Sequence, residues 1–285
     1  MLAALKPLLD AAQSEGYAIG AFNVYNLEGV RAVIRAAEHA RSPVMLQLHP
    51  SAHQHGGSPL VALCLEAARS AAVAVAVHLD HSSSETDIRN ALAAGMTSIM
   101  ADGSHLPYAD NVAFTRQIVE LAHTQDAAVE AELGRLSGTE DGLTIPEYEA
   151  KLTDPAEAAD FVSQTRVDAL AVCIGNVHGR YRNEPQLDFD RLNAIRQSLS
   201  TPLVLHGASG LPESMVQQAI RLGICKFNVN TEVREAYIET LRQQLQLPAS
   251  PDLIALMQEA ETAMQNVVAA KLCLFGSSGK KRIFQ

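Results

Sequence analysis

Short apolar runs alternate along the whole chain with longer stretches of helical periodicity. The runs occupy residues 17–24, 44–48, 73–79, 98–101, 128–133, 169–174, 203–205 and 225–229, and they are dense in Val, Ile, Leu and Ala. Strands covered on both faces read this way, because neither side of the pleat meets water. Between them, residues 27–41, 85–94, 111–123 and 213–222 place apolar side chains at helical spacing, and residues 1–14 form a short amphipathic helix ahead of the first strand. Eight strand-and-helix units recurring about every 30 residues predict a (β/α)8 barrel. An open, doubly wound sheet is the competing arrangement.

Two segments depart from the bare repeat. Residues 134–153, GRLSGTEDGLTIPEYEAKLT, are too rich in Gly, Thr and acids for a core and long for a βα loop, which predicts a mobile lid over an active site. Residues 251–274 read as one long helix beyond the last unit, the kind of appendage that serves subunit contacts. No linker divides the chain, so residues 1–285 are expected to form a single domain.

The chain is acidic, with a net charge of -10 and no Lys/Arg stripe beyond Lys280, Lys281 and Arg282. That argues against a general nucleic-acid binder and requires any site for an anionic substrate to concentrate its donors locally. Four cysteines without a CxxC pair read as small buried hydrophobes in a reducing compartment rather than as thiolate ligands. With no leader pattern and no run able to span a bilayer, a cytoplasmic protein without membrane contact is expected.

In a barrel the chemistry collects where the strands end at their C-terminal side. Those ends carry Asn23, His49, Asp80 with His81, Asp102 with Ser104, Glu132, His178, His206, and then Asn228, Asn230 and Thr231. One terminal histidine is more often a satisfied polar cap than a ligand. Three on separate strands of one face, His81, His178 and His206, suit a Zn2+ held by neutral imidazoles with a fourth position open. Strict alternation would put His78 and Asp80 on one side of their strand and His81 on the other unless the strand twists at its end, which marks His78 as a support behind the ligands or as structural. The glycine turns NVHGRY and LHGASG, with Gly179, Gly207 and Ser209, and a helix start at Thr231 could together cradle a phosphate. Asp80 could move a proton, Glu132 could join the metal or support it, and Glu140 and Asp141 lie on the expected lid.

The set HLDHS, EAELGRLSGTEDG, GNVHG, LHGASG and KFNVNTE, in that order, resembles the class II, metal-dependent ketose-bisphosphate aldolases. The match runs from GAFNVYN near the start to LFGSSGK at the end. The resemblance implies a zinc-dependent barrel, a homodimer or homotetramer, that cleaves a ketose phosphate into dihydroxyacetone phosphate and an aldehyde or joins the two. It makes His81, His178 and His206 the metal ligands, with Glu132 near an alternative metal position. It implies Asp80 as the acid/base at the C4 oxygen and Glu140 as the group handling the proton at C3. Gly179, Gly207, Ser209, Asn230 and Thr231 would bind phosphate with a monovalent cation, Na+ or K+, while Asn228 and Asn23 would lie against the ketose. No Schiff-base lysine is needed, and Lys226 reads as out of phase with Asn228.

Two departures bear on the substrate. The chain has QLHPSA where relatives commonly have QVSEGA, putting His49 in place of a small serine, and Gln258 falls where bisphosphate-cleaving relatives carry an arginine. A charge-assisted partner of that kind is worth about 1.5–3 kcal/mol. Its absence makes a ketose 1-phosphate or another non-bisphosphate sugar the alternative substrate, unless Arg135, Arg180, Arg182 or Arg234 takes over. A barrel that binds metal or sugar phosphate without catalysis is the remaining alternative.

Overall fold

The computed structural model describes residues 1–140, 143–181, 183–247 and 252–281, and at Glu140, Leu143 and Tyr148 the backbone alone. Eight parallel strands close into a barrel. In chain order they are β1 (Ile19–Asn23), β2 (Val44–Leu48), β3 (Val75–Ser82), β4 (Ser98–Ala101), β5 (Ala128–Leu133), then β8 (Ala169–Val172), β9 (Leu203–Leu205) and β10 (Ile224–Val229), and β1 closes the ring by pairing with both β2 and β10. The helices are α1 (Leu5–Glu15), α2 (Leu27–Ala40), α3 (Pro50–Ser70), α4 (Glu85–Ala93), α5 (Tyr108–His123), α6 (Pro155–Thr165), α7 (Phe189–Ser198), α8 (Glu213–Arg221), α9 (Thr231–Leu245) and α10 (Leu253–Leu274). The predicted (β/α)8 architecture is therefore the observed one, and none of the described helices is long and apolar enough to cross a membrane.

The strands are buried on both faces, as their composition requires. Their outward residues pack under the helices in one core. Inside the barrel a second cluster, including Ile19, Ala21, Met45, Ala76, Ala171 and Val204, meets Leu5, Leu8 and Leu9 of α1. That helix thus plugs the N-terminal end of the barrel, leaving the other end to the polar residues. Between plug and mouth the interior is polar: Gln47, His78, Ser98, Glu130 and Lys226 have no exposed surface at all.

The segment expected as a lid contains an antiparallel hairpin, β6 (Gly138–Glu140) and β7 (Leu143–Ile145), whose Gly138 and Ile145 line a cavity with His81 and His178. Its base is anchored on the neighbouring loop, where His178 N donates to Ser137 O and Thr139 N donates to His178 O. The helix α3, with Gly56, Gly57 and Pro59 in its first half, is bent at Gly57, whose φ is 56°. One expectation needs correcting: Cys64, Cys173 and Cys225 are buried, but Cys273 on α10 is exposed.

Candidate metal centre and active site

The end of β3 departs from regular alternation. Its register to β4 shifts between Leu79 and Ser82, and His81 takes a φ of 39°, in the left-handed region that a non-glycine residue seldom enters. That bulge turns Asp80 and His81 to the same mouth, with Asp80 Oδ1 4.0 Å from His81 Nε2. His78 stays below, fully buried, with Nδ1 3.0 Å from Ser98 Oγ. Burial, and then the charge of Lys226, push its pKa down to about 4, so His78 is a neutral structural residue.

His81, Glu132, His178 and His206 each aim one ligand atom into a common space, all within 4.8 Å of one another. The imidazole centroids of His81 lie 5.0 Å from His178 and 4.6 Å from His206. His81 Nε2, His206 Nδ1 and Glu132 Oε2 are buried without a hydrogen-bond partner, and the last two face each other at 3.3 Å. Buried polar atoms are seldom left so, and three of them turned on one point match what a metal ion would satisfy. The far side of each ring is held. His81 Nδ1 is 2.8 Å from Asp102 Oδ2, and His206 Nε2 is 2.9 Å from Glu130 Oε1. A carboxylate accepting from one ring nitrogen leaves the other as a lone pair, which fixes the tautomer a metal needs.

Burial alone would raise the pKa of Asp80. The charges of His81, Lys226 and His206 and the Asn23 amide outweigh it, so the carboxyl is held well below the usual range. Asn23 Nδ2 donates to Asp80 Oδ2 at 2.9 Å, and Asn228 Nδ2 donates to Asp80 Oδ1 at 3.1 Å. His81 is shifted the other way. Burial would lower it, but Asp80, Asp102 and Glu132 carry it well above 6.5.

The residues expected around a phosphate follow the ends of β8, β9 and β10. Gly179 and Gly207 have φ of 80° and 68°. A Cβ on Gly207 would lie 1.9 Å from Val177 O, and one on Gly179 2.5 Å from Thr139 O, so the Gly207 loop abuts the loop carrying Gly179, and that loop abuts the hairpin base. Ser209, Asn230 and Thr231 are buried beside them, and Thr231 opens α9 without a side-chain cap because Asn230 Oδ1 accepts from Tyr25 Oη at 2.8 Å.

His49 caps α3, with Nδ1 accepting from Ser51 N, and lines a cavity of about 350 Å3 shared with His81, Asp102, His105, Arg135 and His178. Arg135 is paired in its wall with Glu149 at 2.7 Å. Arg180 pairs instead with Glu235, and Gln258 is exposed on α10. The Glu140 side chain, Asp141 and Arg182 lie outside the described residues.

Three residues at the centre carried no role in the sequence. Asp102 stood among the strand ends, but its bond to His81 depends on the bulge. Glu130 and Lys226 form an ion pair at 2.9 Å with no exposed surface. Strand parity was the available signal, since Glu130 shares a face with Glu132. Lys226 likewise shares one with Asn228, to which it donates at 2.7 Å, and its reading as out of phase with Asn228 is corrected here.

The sequence profile described as fructose-bisphosphate aldolase class-II matches residues 3–280. The YdjI aldolase of Escherichia coli K12 is 37% identical with a TM-score of 0.89, the alignment covering 99% of this chain and 100% of that one. A protein assigned as a fructose-1,6-bisphosphate aldolase from Coccidioides immitis is 39% identical over 96% of both chains, TM-score 0.91. The fructose-bisphosphate aldolase of Campylobacter jejuni, 21% identical over 98% of this chain and 97% of its own, shares the fold with a TM-score of 0.81. With the profile spanning nearly its whole length, the chain belongs to the class II fructose-bisphosphate aldolase family.

Proposed function

We propose that the chain acts as one catalytic domain, a zinc-dependent aldolase that reversibly cleaves a ketose bisphosphate into dihydroxyacetone phosphate and an aldehyde such as glyceraldehyde 3-phosphate. The observation that carries this reading is the convergence of His81 Nε2, His206 Nδ1 and Glu132 Oε2, buried and unsatisfied, on a point beside the Asp80 carboxylate. Two or three imidazoles with a carboxylate suit Zn2+, with His178 completing the set. A divalent cation held there supplies Lewis-acid stabilisation of the negative charge that develops when the bond beside a carbonyl breaks.

The chain's own groups supply the rest. Asp80, kept ionised by its neighbours, takes the proton from the C4 hydroxyl as the C3–C4 bond parts and returns it in the synthetic direction. Glu140 on the hairpin handles the proton at C3. The N–H groups of the Gly179 and Gly207 loops, with Ser209, Asn230 and the first turn of α9 at Thr231, hold the phosphate next to the carbonyl, aided by Na+ or K+. Asn23 and Asn228 keep the Asp80 oxygens in place against the sugar.

A ketose 1-phosphate is the second reading. Gln258 offers no charge to a distal phosphate, and Arg135, the arginine in the 350 Å3 cavity with His49, is already paired with Glu149. A cytoplasmic homodimer or homotetramer fits the unpaired cysteines and the exposed Leu245, Leu247, Leu253 and Ile254 on α9 and α10 and between them.

The test is dihydroxyacetone phosphate release from a panel of ketose mono- and bisphosphates, with and without chelator. Bisphosphate cleavage that stops with chelator and returns with Zn2+ is expected. Preference for a monophosphate selects the second reading, and cleavage indifferent to chelator removes the metal.

A further inference from the structure

Lys226 lies at the centre of the barrel with no exposed surface, and its ammonium donates to two buried acceptors, one on Glu130 and one on Asn228. Nζ is 2.9 Å from Glu130 Oε2 and donates to Glu130 Oε1 at 3.0 Å and to Asn228 Oδ1 at 2.7 Å. On one side, Glu130 Oε1 also takes His206 Nε2 at 2.9 Å. On the other, Asn228 Nδ2 donates to Asp80 Oδ1 at 3.1 Å. One ammonium therefore stands between a ring that faces the metal position and the carboxylate that moves the proton.

The direction of each bond follows from what each group can do. An ammonium only donates, so the oxygen of the Asn228 amide must face Lys226 and its NH2 must face Asp80. Were the amide reversed, its oxygen would confront the carboxylate. An ionised Glu130 only accepts, so His206 carries its proton on Nε2 and presents Nδ1 to the ligand cluster. Without Lys226, the buried Glu130 charge would lose its permanent cation and keep only the His206 ring as a partner, and a buried charge so weakly compensated is displaced or neutralised rather than kept as a fixed acceptor.

We propose that Lys226 is a positioning residue for the aldolase reaction: through Glu130 it sets the tautomer of His206, and through Asn228 it sets the amide face shown to Asp80. This rests on the aldolase reading above, with Asp80 as the acid/base and His206 as a ligand. Lys226 touches neither substrate nor metal.

The experiment compares wild type, Lys226→Met, and the double variant Glu130→Gln/Lys226→Met, by thermal midpoint, by competition for Zn2+ against a chelator, and by kcat and KM at saturating Zn2+. Lys226→Met alone strands the Glu130 charge and lowers the midpoint or prevents folding. The double variant buries no net charge and is expected to regain the midpoint. It should nevertheless bind Zn2+ about 10–100-fold more weakly, as loss of a partner behind a metal-facing histidine does, and turn over at least about tenfold more slowly with KM little changed. A purely structural ion pair makes the opposite prediction. If the double variant recovers Zn2+ affinity and kcat along with its midpoint, the proposal is overturned. A wild type that binds no Zn2+ or cleaves no ketose phosphate overturns the aldolase reading instead, an outcome visible before any variant is made.

Discussion

Asp80 and His81 are consecutive residues that face the same mouth, Oδ1 to Nε2 at 4.0 Å, because the chain bulges between Leu79 and Ser82 and His81 adopts a positive φ. The arrangement places the proposed proton-transfer group against a proposed metal ligand without a second strand, and it separates the two proposed roles. Asp80 is not among the four side chains whose ligand atoms converge. Asp80→Ala should therefore keep Zn2+ at full stoichiometry while lowering kcat by about 10²–10⁴-fold, the range for losing a general acid/base. Metal analysis of the purified variant beside its turnover decides this, and loss of the ion together with activity would make Asp80 a ligand instead.

Asp102 works one bond further out. It holds His81 Nδ1 at 2.8 Å, and Ser104 N donates to its other oxygen at 3.0 Å. Asp102→Ala removes the acceptor that keeps the proton on Nδ1 and frees the ring to rotate. Zn2+ affinity should drop about 10–100-fold, with activity largely restored at high Zn2+. An unchanged dissociation constant would show that the bulge alone orients His81.

How much of this was legible follows from the range of the interactions. The eight strands were, because a strand buried on both faces is apolar throughout, and so were the three histidines, because His81 and His206 stand at the ends of such strands and His178 lies in the loop just beyond one. The helix α3 was not: His53, His55, Gly56, Gly57 and Pro59 break its periodicity, and it forms around a bend at Gly57. The Glu130 and Lys226 pair spans 96 positions in the chain and exists only once β5 and β10 face each other across the closed barrel. The facing of His81 was undecidable from alternation, since a one-residue bulge is the feature alternation cannot contain.

The raised pKa of His81 has a consequence for metal uptake. Burial disfavours its charge, but Asp80, Asp102 and Glu132 together more than reverse that, so the metal-free protein holds the ring protonated above pH 6.5. A cation must displace that proton. Zn2+ binding near pH 7 should release roughly one proton or more per ion, seen as a dependence of calorimetric heat on the ionisation enthalpy of the buffer. The sign carries over to folding. A group whose pKa is raised on folding stabilises the native state fully below its unfolded value, here 6.5, and loses that contribution as pH rises through the folded value. The metal-free protein should thus lose some stability on the alkaline side while the zinc form does not. Heats independent of buffer would show that His81 is already neutral before the ion arrives.

Gly207 joins the metal-facing strand end to the loop proposed for phosphate, and its demands can be tested separately from chemistry. Its φ of 68° lies where a side chain is strained, and a Cβ would come within 1.9 Å of the backbone oxygen of Val177. That oxygen belongs to the residue before His178, and Tyr181 Oη, which donates to Gly207 O at 3.1 Å, ties the two loops from the other side. Neither partner is the loose end of a flexible side chain, so the overlap is relieved only by moving backbone. Gly207→Ala should destabilise the protein by more than about 2 kcal/mol, combining strain and displacement. It should also displace His178 and His206 together, weakening Zn2+ binding. By contrast Gly16→Ala, at a helix end with φ of 69° and open space around it, carries the strain without the overlap and should leave Zn2+ affinity unchanged. Denaturant midpoints and Zn2+ competition on both variants separate the two terms. Equal destabilisation of the pair, with no change in Zn2+ affinity for Gly207→Ala, would mean that the loop relaxes without consequence for the histidines.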